Sequence, residues 1–289
     1  EVIKDIGNTY QAVGDVNTAK KYYQKALAIN SSYAPALTNL GLLELNTEKK
    51  QDALFLLIKA TESDPQLAPA WGNLANGYVQ LGKTQEAKTS CQKAIELNPN
   101  LFNPHFLLGT ILLGQSKPQE AKQSLEKAIE LKPDFLQAHL NLGVVLKDLG
   151  NLQDAELSTR KAIELNPNLF NSHFLLGTIL IERKKLQEAE QPFRKSIELK
   201  PDFVNAHYLF SSILIDQQKF QEAETPLRKT IELKPDFTEA HFNLGNVLRN
   251  LDNLHGAEIS IRKAIELKPD DAMFHSHLGG ILKDLGNLK

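Results

Sequence analysis

Apolar and small residues recur at helical spacing along this chain, in pairs of runs separated by a turn. One stretch shows the pattern. His139, Leu142, Gly143 and Leu146 fall on one face of a first run, and Ala155, Thr159, Ala162 and Ile163 on one face of a second. Such spacing predicts two amphipathic helices. Leu149-Gly150-Asn151 between them reads as a turn, and Asn166-Pro167-Asn168 closes the unit. Proline cannot continue a helix, because it lacks the N–H and its ring clashes with the preceding turn. The same closure returns every 34 residues, at Pro65, Pro99, Pro133, Pro167, Pro201, Pro235 and Pro269. A fixed period of this length predicts a solenoid of helix–turn–helix units, each burying its neighbour's apolar flank.

Placing the periodic proline at position 32 divides the single array 1–289 into units 1–33, 34–67, 68–101, 102–135, 136–169, 170–203, 204–237 and 238–271, with a partial unit 272–289. Position 8 is small throughout: Gly7, Gly41, Ala75, Gly109, Gly143, Gly177, Ser211, Gly245 and Gly279. Position 20 is alanine in every complete pair, and position 27 is alanine, serine or threonine. A mid-helix glycine costs about 0.5–1 kcal/mol relative to alanine. Its recurrence therefore predicts a close approach of helix backbones.

Leu or Ile at position 7, a small residue at 8, a large apolar one at 11, Ala at 20 and 27, and Pro at 32 resemble the tetratricopeptide repeat family. Trp71 and Tyr78 match its aromatics at positions 4 and 11. The resemblance runs along essentially the whole chain. It implies an all-α fold, an α-solenoid of stacked antiparallel helix pairs in a right-handed superhelix, with the first helices lining a concave face. A longer echo overlies the repeat: Leu101–Leu112 nearly recurs at Leu169–Leu180, so alternate units should present similar surfaces. Pro192 and Pro226 fall inside second helices, which are expected to bend or to start late. Ser31 stands in place of the first proline, which predicts a less defined junction there.

Net charge is −2 with lysine and arginine scattered singly, which disfavours a nucleic-acid partner, since such proteins concentrate basic residues on one face. The longest strongly apolar run, about Phe106–Gly114, is far short of the roughly 20 residues of a spanning helix, so no membrane insertion is expected. Cys91 is the only cysteine, so no intrachain disulfide can form, in keeping with a reducing, cytoplasmic setting. No secretory signal opens the chain. Glu1 at the start and the half unit at the end read as part of a longer protein.

Six histidines, His105, His139, His173, His207, His241 and His275, occupy position 4. Successive ones should lie about 10 Å apart, the helix-packing distance. A zinc ion needs each nitrogen at about 2.0–2.1 Å, so no metal is expected there, and imidazole takes the packing place of an aromatic. Cys91, at position 24, reads as an inert core thiol. The carboxylates Glu120, Glu126, Asp154 and Glu156 read as solvated faces of second helices. Neither a cofactor cradle nor catalytic residues are expected.

In the family resembled, positions 2, 5, 9, 12 and 13 of the first helix face the groove. Here they include Phe106, Phe174, Tyr208 and Phe242 at position 5, Asn103, Gln137, Asn171 and Asn205 at position 2, and Leu113, Ile181 and Ile215 at position 12. Apolar surface of this extent marks a binding site, and amides can satisfy a peptide backbone. The alternative is that neighbouring first helices cover the rings. A second, weaker candidate is a carboxylate clamp: Lys4, Asn8 and Asn39 match its first three residues, but Pro69 and Asn73 stand where basic residues belong. Position 6 carries Asn39, Asn73, Asn141 and Asn243, resembling the asparagine ladder of family glycosyltransferases, interrupted by Leu107, Leu175 and Leu209.

The sequence thus points to a non-catalytic scaffold that takes a partner's peptide or helix in its groove. Two other readings stay open. One is the substrate-recruiting region of a larger glycosyl-, methyl- or sulfotransferase. The other is a module that self-associates end to end through Leu278, Ile281, Leu282 and Leu285 of the final helix.

Overall fold

A computed structural model describes residues 1–286; the last residues of the partial unit, 287–289, lie outside it. All regular structure among the described residues is α-helical. The chain falls into two bodies, residues 1–150 and residues 151 onward. The first holds α1 (Val2–Ala12), α2 (Val16–Ile29), α3 (Ala34–Leu45), α4 (Lys50–Ser63), α5 (Ala68–Gln80), α6 (Thr84–Leu97), α7 (Phe102–Gly114), α8 (Pro118–Leu131) and α9 (Leu136–Asp148). The second holds α10 (Leu152–Leu165), α11 (Phe170–Glu182), α12 (Leu186–Leu199), α13 (Val204–Asp216), α14 (Phe220–Leu233), α15 (Thr238–Asn250), α16 (Leu254–Leu267) and α17 (Ala272–Asp284). From α3 on, first helices begin at the expected unit starts. Within each body every helix packs on the next, and α3 touches α5, α5 touches α7, α7 touches α9 and α13 touches α15. First helices thus pack on their successors, as expected of the inner wall of a tetratricopeptide stack.

The glycine at position 8 makes room for a side chain first, and in three units also for the neighbouring helix backbone, as the sequence suggested. A Cβ on Gly109 would stand 2.7 Å from Leu125 Cγ, one on Gly177 2.7 Å from the Phe193 ring, and one on Gly245 2.6 Å from Ile261. The crowding residue is at position 24 of the second helix, and Leu125, Phe193 and Ile261 are completely buried. Position 20 adds its carbonyl, 3.3 Å from the would-be Cβ at Gly41, Gly109 and Gly245.

In every complete pair except that of residues 34–67 the turn uses one left-handed residue, at position 15. Gly14, Gly82 and Gly150 supply it with φ of 83°, 70° and 75°. Ser116, Lys184, Gln218 and Asp252 adopt φ of 56° to 60° without glycine's freedom.

Three details depart from expectation. Helices α12 and α14 start on register despite Pro192 and Pro226 in their interiors. Both prolines are buried, and fully buried neighbours, Ala189 and Phe193 in one and Ala223 and Leu227 in the other, pin each helix on both sides. The Ser31 junction is as well defined as the others. There Asn30 Oδ1 accepts the Ser32 N–H at 3.0 Å, as Asn98 does from Asn100 and Asn166 from Asn168. An Asx turn therefore shapes the junction with or without proline. Finally, part of the apolar surface of α17 and its C-terminal end is covered, though Met273 is exposed and Leu282 half-buried. Ile281 is fully buried, and Leu278 and Leu285 pack on the core of the second body.

Gly109→Ala should lower stability by about 1–3 kcal/mol, the usual cost of overpacking. Gly279→Ala in α17, where an added Cβ meets nothing within 4 Å, should raise it by about 0.5–1 kcal/mol. Urea denaturation of the two variants checks both signs.

Candidate functional site

The histidine ladder is a set of ties rather than a site. In every histidine-bearing unit the ring Nε2 lies 2.7 to 2.9 Å from the carbonyl of the proline six residues earlier, His105 on Pro99 and His173 on Pro167 among them. Trp71 Nε1 donates to Pro65 in the same way at 2.9 Å. A carbonyl only accepts, so Nε2 carries the proton. Each bond fastens the first helix of one unit to the end of the unit before it. Sequence reasoning assigned these rings to packing and missed the bond, although the constant six-residue interval from Pro to His or Trp was legible. Nowhere among the described residues do three metal-ligating side chains converge.

Cys91 is fully buried, and burial pushes its thiol up to about 12. Glu156, expected in solvent, is buried and joins Arg160 and Arg183. Burial raises its carboxyl, but the two guanidiniums prevail and hold it below the usual range. Asp154 and the pair Glu120 and Glu126 are exposed.

The position 5 rings are half-buried and lean on other rings. In the first body Phe106 meets Phe135 edge-on at 4.8 Å, and Phe102 meets the same ring at 5.1 Å. In the second, Phe174 and Phe170 meet Phe203 at 4.8 and 5.2 Å. The 68-residue echo in sequence is thus an echo of ring geometry. Tyr208 lies 4.6 Å from Phe237, and Phe242 4.9 Å from Phe274. Partial cover comes from the ring at the end of the unit for Phe106, Phe174 and Tyr208, a source the sequence did not suggest, and for Phe242 from Phe274 and His277 of the next first helix, as the alternative expected. Burial, with Glu239 near by, raises the Tyr208 hydroxyl, while Asn243 and Ser212 pull it back. Beside this shelf Asn171 and Asn205 are exposed, and Asn103 is half-buried in the first body. Ile181 and Ile215 pack against the core, and Leu113 is half-buried.

The clamp residues are occupied with one another. Lys4 pairs with Asp5 at 2.5 Å, and that bond raises its pKa. Asn8 accepts from Tyr23 at 2.9 Å and from Asn39 at 2.7 Å. In three units position 6 in fact pairs with position 9 of the unit before. Asn141 donates to Thr110 at 3.0 Å, and His277 lies 2.7 Å from Asn246.

A family model described as the cilia and flagella-associated protein 70 C-terminal domain, itself built of tetratricopeptide repeats, matches residues 1–208, and the tetratricopeptide repeat model matches residues 238–271. The chain belongs to the tetratricopeptide repeat family. No curated protein matches it. Among solved structures, YrrB, described as a tetratricopeptide repeat protein with an unusual peptide-binding site, is 25% identical over 65% of this chain and 96% of its own, with a TM-score of 0.58. The C-terminal part of a repeat protein from Cytophaga hutchinsonii is 17% identical over 85% of this chain and 98% of its own, at 0.64. Pseudomonas aeruginosa pilF is 19% identical over 74% and 97%, at 0.61. The last two share the tetratricopeptide fold alone. No helix is long and apolar enough to cross a membrane among the described residues.

His173→Phe keeps a ring but drops the bond to Pro167, and should cost about 1 kcal/mol in urea denaturation. His173→Trp should recover most of it, since Trp71 makes the same bond. The Cys91 thiol should resist maleimide at pH 8 in the native protein and react within minutes in denaturant.

Proposed function

We propose that this tetratricopeptide array is a non-catalytic scaffold that binds an extended peptide of a partner protein along its first-helix face. One observation carries the reading. In the second body the half-buried shelf of Phe174, Tyr208 and Phe242 is bordered by the exposed amides of Asn171 and Asn205. The rings offer apolar area that is already positioned, so little side-chain freedom is lost on binding. The amides offer donors and acceptors at the spacing of successive helices. Phe106, Asn103 and Leu113 are the counterparts in the first body. YrrB, whose structure is described as having a peptide-binding site, supports the reading through a related fold.

A peptide array probed with the whole chain tests this. Peptides retained by the wild type should bind at least tenfold more weakly to Asn171→Ala/Asn205→Ala and to Tyr208→Ala, with the circular dichroism of each variant unchanged. Undiminished binding by both variants removes the face from the mechanism.

A further inference from the structure

The first-helix face has one gap. Position 5 holds a phenylalanine or tyrosine in four units, but in the third unit it is Gly72. Where Phe106 packs on Phe135 one unit later, no ring stands at Gly72, and Pro104 leaning over it fills the space only in part. It forms a cavity of about 140 Å³ between α5 and α7, lined by Pro69, Gly72, Asn73, Phe102, Asn103 and Pro104 among others. An apolar cavity of about 150 Å³ accepts a benzene ring. None of the lining residues is charged.

The amide at its edge is free for a structural reason. At three other units a polar residue at position 6 is held by the residue 31 places earlier, Asn39 by Asn8, Asn141 by Thr110 and His277 by Asn246, while Asn243 bonds the Tyr208 side chain instead. For Asn73 the residue at that earlier place is Leu42, which offers neither donor nor acceptor. The Asn73 side chain is half-buried and makes no hydrogen bond among the described residues, and neither does that of Asn103.

We propose that this cavity takes the phenylalanine side chain of an extended peptide from a partner protein, while Asn73 and Asn103 bond the peptide backbone on either side of it. The occupant is argued from the fold itself, because a phenylalanine or tyrosine ring fills the equivalent space in the units of Phe106, Phe174, Tyr208 and Phe242. A neutral lining with two amides rejects a charged side chain, whose desolvation nothing here would offset. The inference rests on the first-helix face being a peptide-binding face, and adds where the anchor enters and what it is.

Amide NMR of the full chain, with a blocked pentapeptide Gly-Gly-Phe-Gly-Gly and its Ala analogue as probes, tests it. Saturable shifts of the Asn73 and Asn103 side-chain amides are expected with the Phe peptide, and at least tenfold weaker binding with the Ala peptide. Gly72→Phe combined with Pro104→Ala should abolish those shifts. The second change is needed because Pro104 Cγ lies 3.2 Å from a Cβ at residue 72, and alanine holds that place at Ala70, Ala138, Ala206 and Ala240. Asn73→Leu, which leaves the cavity open, should weaken binding at least tenfold and serves if the plugged variant loses its native spectrum. Equal response to the two peptides, or undiminished binding by the plugged variant or by Asn73→Leu, overturns the proposal. Shifts confined to the Phe174–Phe242 shelf overturn it while leaving the face reading intact. Silence from these probes together with an empty peptide array overturns both.

Discussion

The structure depends on one steric constraint: a bulky side chain at position 24 lies where a Cβ at position 8 would be. In the units of Gly109, Gly177 and Gly245 the helix pair closes until Leu125, Phe193 or Ile261 meets bare backbone, 2.6–2.7 Å from where a Cβ would stand. Where position 8 carries a methyl, at Ala75, the partner shrinks to Cys91. Where it is Ser211, the hydroxyl turns back to the Tyr208 carbonyl at 2.6 Å. The two positions behave as one volume. Because core packing tolerates little excess or void, that volume fixes the spacing within the pair, and with it the line along which the next pair stacks.

Stacking is then secured by the proline at position 32, which acts twice. Its ring ends the second helix, and its carbonyl accepts the N–H of the histidine or tryptophan six residues on. The second unit makes no such bond, because Leu37 stands where the ring would be and Ser31 where the proline would be. There Asn30 shapes the turn and Leu37 is buried by packing alone. Backbone, cap and core thus offer separate routes to the same junction.

The face left over by this packing carries the candidate chemistry. Rings at position 5 lie at the edge of the core and, in the units of Phe106, Phe174 and Tyr208, lean on the aromatic at the end of the unit. The position 6 amides of Asn39 and Asn141 settle on the preceding position 9. A face whose groups satisfy one another offers a partner little, and so the places where the internal pairing fails carry the most weight. Gly72 and Asn73 are adjacent in sequence and fail together.

Much was determined by the sequence alone. The period set helix number, register and boundaries, because a repeat of 34 with one proline and one turn admits a single local solution that each unit must adopt. Burial of position 4 and of Cys91 followed from helical spacing. Tertiary structure decided what spacing cannot express. A pattern of small residues signals close approach but not which atoms approach, and here they were a side chain and, beside it, a backbone carbonyl. Glu156 looked like a solvated carboxylate until Arg183, from the next unit, reached it. The rings at position 5 and the leucines of α17 looked bare because their cover comes from residues far along the chain, which only folding brings near. The cavity at Gly72 is the same case in reverse: an absence becomes visible only when the walls around it are in place.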